Sequence, residues 1–165
     1  MLKPPQRWAV IAAWASAVGG LMPVVWRLHM LVWGAGWELA DEFRRGGLLV
    51  YVLGLIVVET LAALAVLGLI QPWGEVWPRW VPGVGGRRIS TRLVLGVASV
   101  GALLITAIIS ITFWELLTLT AQGISNPILH VEAGWKRAFM LAHYVPWVLW
   151  PIGLWVAING YARRH

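Results

Sequence analysis

Residues 71–92, QPWGEVWPRWVPGVGGRRISTR, are the one long stretch of this chain that cannot sit in a hydrocarbon phase, and they divide it into two similar apolar halves. Trp73, Trp77 and Trp80 alternate with Pro72, Pro78 and Pro82. A turn rich in glycine follows (Gly83, Gly85, Gly86), and then Arg87, Arg88 and Arg92. Proline fixes φ and removes a backbone donor, so no continuous helix can run through this segment. Tryptophan favours the membrane–water boundary, where its ring is half-buried and its N–H stays wet. The stretch therefore reads as an interfacial loop whose three arginines lie among anionic lipid head groups.

Four apolar runs flank this loop, at about 8–26, 48–70, 93–119 and 139–161. Hydrocarbon offers no partner to a backbone N–H or C=O, so a run of about 20 apolar residues must satisfy its own backbone as a helix. The expectation is an all-α fold: one polytopic domain over residues 1–165, a four-helix transmembrane bundle with the loop joining spans two and three. Composition agrees, with 59% hydrophobic and 12% charged residues and a mean hydropathy of +0.74. That is about half the charge of a soluble domain. Thirteen tryptophans against three phenylalanines exceed what core packing requires. Trp8, Trp26, Trp33, Trp73, Trp77, Trp80, Trp114 and Trp135 fall near predicted helix ends, as interfacial anchors do.

The start MLKPPQR resembles the charged head of a signal peptide, but residues 8–26 are too long and too rich in tryptophan for its apolar core; an uncleaved first span is expected. On that span Ala12, Ser16 and Gly20 recur at helical spacing, as do Ala9, Ala13 and Ala17, and such small faces let a second helix approach closely. Pro23 should bend the first span, and Pro146 and Pro151 should break the fourth. Ser90 is placed to cap the third. Residues from Trp37 to Arg45 suggest a short interfacial helix, and Asn126–Pro127 a turn.

The formal charge of +6 would suggest nucleic acid as the partner of a soluble protein. Here the charges flank apolar spans, so the partners expected are the bilayer and its anionic head groups, and no nucleic acid. The absence of cysteine excludes disulfides, thiol catalysis and Cys-based metal sites. Lys3, Arg7, Arg79, Arg87, Arg88, Arg92, Arg163 and Arg164 fall on one side of the predicted bundle with a single acid, Glu75. Arg27, Arg44, Arg45, Lys136 and Arg137 fall on the other with Glu38, Asp41, Glu42 and Glu132. The excess of cations puts both termini and the loop in the cytoplasm, with the protein in the cell membrane.

Glu59 is the sharpest candidate site residue, since a carboxylate at the centre of a span costs about 2.5–3.5 kcal/mol on insertion scales. No cation falls within any predicted span, so the neutral acid is expected. It would either bind a proton or cation, or hydrogen-bond to Thr106, Ser110 or Ser16 as structural glue. Glu115 and His143 fall at comparable depth in spans three and four and would make a proton-shuttling pair if they met; otherwise each reaches head-group water. Trp14, Trp147 and Trp150 lie within spans. Rings of that kind around Glu59 would suit an organic cation, and the plain alternative is bulky packing. His130-Val131-Glu132 has a spacing too loose to specify a metal, so no metal site and no cofactor is expected. The Gly83–Arg88 turn could cradle a phosphate, but no Gly-Lys-Ser/Thr follows, so it is not a P-loop. No G-x-S-x-G, H-E-x-x-H or dinucleotide fingerprint is present.

The element PWGEVWPRWVPGVGGRR, with Glu59 in the span before it, resembles a loop of small uncharacterised four-span membrane proteins of actinobacteria. That likeness implies the four-span fold over most of the chain and carries no function. A fainter similarity, of composition alone, is to sterol-isomerase-type membrane domains, which hold a cationic intermediate with intramembrane acids and tryptophans.

Three classes of function remain open. One is binding or transport of a small hydrophobic or cationic molecule around Glu59. The second is an intramembrane, isomerase-like acid/base enzyme using Glu59, or Glu115 with His143. The third is a structural subunit, in a homo-oligomer or a larger membrane assembly, joined through small-residue faces. A cavity reaching Glu59, a convergent Glu and His, or an unfilled small-residue groove would favour each in turn. For topology, cysteines introduced as E42C and G85C should react with an impermeant maleimide from opposite sides of intact cells; reaction from the same side contradicts the assignment.

Overall fold

The computed structural model describes residues 4–34, 40–41, 44–122 and 134–165. Helix α1 spans Arg7–Trp33, α2 Gly46–Ala65, α3 Thr91–Ala121, α4 Trp135–Tyr144 and α5 Leu149–Ala162. A 3-10 turn, Val66–Leu69, continues α2, and another, Val145–Val148, joins α4 to α5. Among the described residues four segments are long and apolar enough to cross a membrane, with α4 and α5 together making the fourth. The fold is all-helical, as expected, and has the features of a multi-pass membrane bundle. Glu38, Glu42, Asn126–Pro127, His130 and Glu132, with most of the expected helix from Trp37, lie outside the described residues.

The main departure from expectation is the length of α1. It does not stop at Trp26 but runs on through Arg27 to Trp33, because RLHMLVW carries a single fixed charge and that charge is buried. The fourth span breaks where a proline was expected to break it. Pro146 sits at the start of the 3-10 turn, whereas Pro151 falls in the first turn of α5, where a missing N–H costs little. Ser90 immediately precedes α3, and its carbonyl accepts from the Leu93 and Val94 amides at 3.0 and 3.1 Å.

The spans pack in the order α2, α1, α5, α3: α1 lies against both α2 and α5, and α5 lies against α3. Small residues make the α1–α5 seam. A Cβ added at Gly153 would lie 2.8 Å from the Ser16 Cβ, and one at Gly20 would lie 2.7 Å from the Trp150 ring. Ser16, fully buried, donates its hydroxyl hydrogen to the Trp150 carbonyl at 2.7 Å, satisfying backbone next to Pro151. The small face expected to admit a helix thus admits α5, within the same chain. Around this seam Trp147, Trp150, Leu154 and Ile158 pack with Ala13, Ala63, Val66, Ala102 and Ile109. On the outside, Ile11, Val50, Val58, Val97 and Leu103 are each more than half exposed. Apolar cover of that extent is unusual for a protein surrounded by water and is what lipid contact requires.

The interfacial loop between α2 and α3 contains a short hairpin. Val76 and Arg88 form an antiparallel bridge, flanked by Trp77 N–H to the Arg87 carbonyl and Ile89 N–H to the Glu75 carbonyl, both 2.9 Å. Gly83 and Gly86 turn it at φ of +82° and +77°, values that L side chains rarely adopt. Arg164 then clasps the hairpin to the bundle: its Nη2 donates to the Leu69 carbonyl at 3.2 Å and pairs with Glu75 at 2.7 Å. Arg163 lies over the Trp8 ring, 5.7 Å from its centroid. The start of α1, the hairpin and the C-terminal residues therefore share one end of the bundle.

Because the α1–α5 seam has no spare room, G153L should lower thermal stability in detergent by about 1–3 kcal/mol, the usual cost of overpacking. G54A should not, since an added Cβ at Gly54 meets no atom within 4 Å. A G153L protein as stable as the parent would contradict this packing.

Candidate functional site

Two features stand out: a buried charge pair between α1 and α2, and an apolar cleft between α2 and α3.

The extra turns of α1 carry Arg27 into the bundle, where its guanidinium pairs with the Glu59 carboxylate; each side chain is about 10% exposed. This corrects the expectation that Glu59 has no cation to pair with. Two of the three expected hydrogen-bond partners are engaged elsewhere, Ser16 with Trp150, and Thr106 with the Ala102 carbonyl at 2.6 Å and the Trp155 indole N–H at 3.2 Å, and Ser110 is exposed. Trp26 and Met30 are fully buried on the α1 turns flanking Arg27, and Ile56 lies a turn before Glu59. Tyr144 completes the group. Its ring stands edge-on to that of Trp26 at 5.4 Å. In hydrocarbon such mutual neutralisation is what makes either charge tolerable. Past Met30 the end of α1 is held by another arginine, Arg44, which donates to the Met30 and Leu31 carbonyls at 3.3 and 3.2 Å.

The expected tryptophan box is not built around this pair. Trp14 is 49% exposed on the outside of α1, while Trp147 and Trp150 are buried in the main core, with Trp150 against Gly20. Sequence reading missed Arg27, Trp26 and Tyr144. The available signal was the apolar run RLHMLVW, which continues the first span beyond Arg27. Glu115 is exposed near the end of α3. His143 is half-buried, its Nδ1 lies 2.8 Å from the Phe139 carbonyl, and its ring lies 4.6 Å from that of Phe139. Among the described residues no hydrogen bond or ion pair joins Glu115 to His143, and no group of three or more metal-ligating side chains occurs.

The cleft arises from the packing order. With α1 and α5 at the centre, α2 and α3 scarcely touch, and a partly open space of about 420 Å³ is left between them. Its walls are Ala62, Ala65 and Val66 on one side and Val94, Val97, Ala98 and Gly101 on the other, with Leu154 of α5 at the back. Trp73, Trp77 and Ile89 of the hairpin close one end, and Glu59 is not among the lining residues. Arg79, Arg87, Arg88 and Arg92 are exposed around that same hairpin, and among the described residues none has an ion-pair partner. The acid of this end, Glu75, is already held by Arg164.

Compared with models of known families, with curated proteins and with solved structures, the chain matches none.

The charge pair makes a test of its own. R27M or E59M alone leaves a buried group without its partner and should cost about 3–5 kcal/mol, whereas R27M/E59M should recover most of that loss. Thermal unfolding of the three variants in detergent measures it. A double variant whose loss equals the sum of the two single losses would show that the groups do not act together.

Proposed function

We propose that the protein binds a small hydrophobic molecule in the cleft between α2 and α3, as a multi-pass protein of the cell membrane with both termini and the hairpin in the cytoplasm. The cleft is the observation that carries this reading. Its walls are apolar, its volume falls in the ~300–1,000 Å³ range of single-ligand sites, and it is partly open between two spans. A cationic ligand at Glu59 is disfavoured, because Arg27 already balances that carboxylate.

The orientation is supported by charge. With Arg27 withdrawn into the bundle, the cations at the end away from the hairpin fall from five to Arg44, Arg45, Lys136 and Arg137, against the same eight at the hairpin end. That sharpens the positive-inside bias.

A long-chain alcohol bearing a photoactivatable diazirine tests the site. Labelling of the purified protein should concentrate on peptides covering 62–77 and 93–105, and A98F/G101F, which fills the cleft, should reduce it there several-fold. Labelling spread evenly over the exposed helix faces, or unchanged by A98F/G101F, would contradict the proposal.

A further inference from the structure

The hairpin that closes the cleft also carries a charge pattern that specifies what kind of amphiphile would sit there. Across its ladder Glu75 faces Ile89 and Trp77 faces Arg87, while Val76 and Arg88 face each other at the bridge between them. Trp77, across the hairpin from Arg87, lines the cleft, whereas Val76, across from Arg88, does not. Arg92 stands one residue before Leu93, another lining residue, at the start of α3. Both Arg87 and Arg92 are exposed and lack an ion-pair partner among the described residues. The nearby carboxylate that would otherwise neutralise them, Glu75, is held by Arg164. An apolar slot therefore ends in uncompensated positive charge, at the end of the bundle where tryptophans place the water boundary.

We infer that the ligand is an anionic amphiphile: one alkyl chain lies in the cleft beneath Trp73 and Trp77, and an oxyanion head group, carboxylate or phosphate, is held by Arg87 and Arg92. This rests on the cleft being a binding site and adds the class of its occupant. Arg87 and Arg92 offer guanidinium forks that match either head group, and the chain supplies apolar contact that the arginines cannot. Arg164, paired with Glu75 and bonded to the Leu69 carbonyl, ties the hairpin to the bundle.

Three diazirine probes with the same alkyl chain, ending in an alcohol, a carboxylate or a phosphate monoester, separate the two claims. Both anionic probes should label the cleft peptides at about thirtyfold lower concentration than the alcohol, equivalent to about 2 kcal/mol. The stronger of the two identifies the head group. R87Q/R92Q should erase the advantage without changing alcohol labelling, and R88Q should change little. Equal labelling by all three probes in the parent protein overturns the anionic assignment while leaving the cleft standing. So does a loss in R87Q/R92Q that affects the alcohol as much as the acids. A failure of the alcohol to label the cleft at all is a failure of the cleft reading itself.

Discussion

Helix α1 is gripped from two sides, and the rest of the bundle depends on that grip. Toward α5 it offers alanine, serine and glycine, and the two backbones come so close that Gly153 and Gly20 leave no room for a side chain. Toward α2 it offers Arg27, and the pairing with Glu59 lets two charges lie inside a span that could not hold either alone. In lipid neither contact can be replaced by hydrophobic drive, because the surrounding acyl chains are as apolar as leucine. Close packing and charge neutralisation must therefore set the order of the helices. Once α1 and α5 hold the centre, α2 and α3 are kept apart, and the cleft is what remains between them.

The hairpin and the C-terminal residues finish one end of this arrangement. Glu75 and Arg164 neutralise each other at 2.7 Å, the Leu69 carbonyl at the end of the 3-10 turn after α2 gains a donor from the same guanidinium, and Trp73 and Trp77 line the cleft. The cations left over, Arg79, Arg87, Arg88 and Arg92, surround the covered end. An apolar slot and an unbalanced positive edge thus sit side by side, and together they suit a lipid-like anion better than either would alone.

Much of the architecture was legible in the residues. The four apolar runs predict four helices, Pro146 predicts the break in the fourth span, and the spacing of Ala9, Ala13, Ser16 and Gly20 predicts a close helix neighbour without saying which helix it is. Two things were not legible, for different reasons. Arg27 falls just past the predicted first span, and although the run RLHMLVW signals that the helix continues, nothing in it shows that Arg27 meets Glu59 on a different helix. The cleft has no sequence signature at all. Its lining residues, such as Ala62, Val97 and Leu154, are ordinary span residues, and the space between them follows from which helices fail to meet. The apparent links from Glu59 to Trp147 and Trp150, and from Glu115 to His143, rested on depth alone, and depth does not fix the rotation of a helix.

The measurement that reaches the central claim most directly is solid-state NMR of the protein in bilayers containing acyl chains labelled with carbon-13. If a chain occupies the cleft, persistent cross-peaks from it should reach the methyl groups of Ala62, Ala65 and Ala98 and the ring of Trp77, and should outlast those to Val50 and Val58 on the outer face of α2. Cross-peaks of equal strength and lifetime at the cleft and the outer faces would contradict it, because the space between α2 and α3 would then be bulk bilayer and not a site.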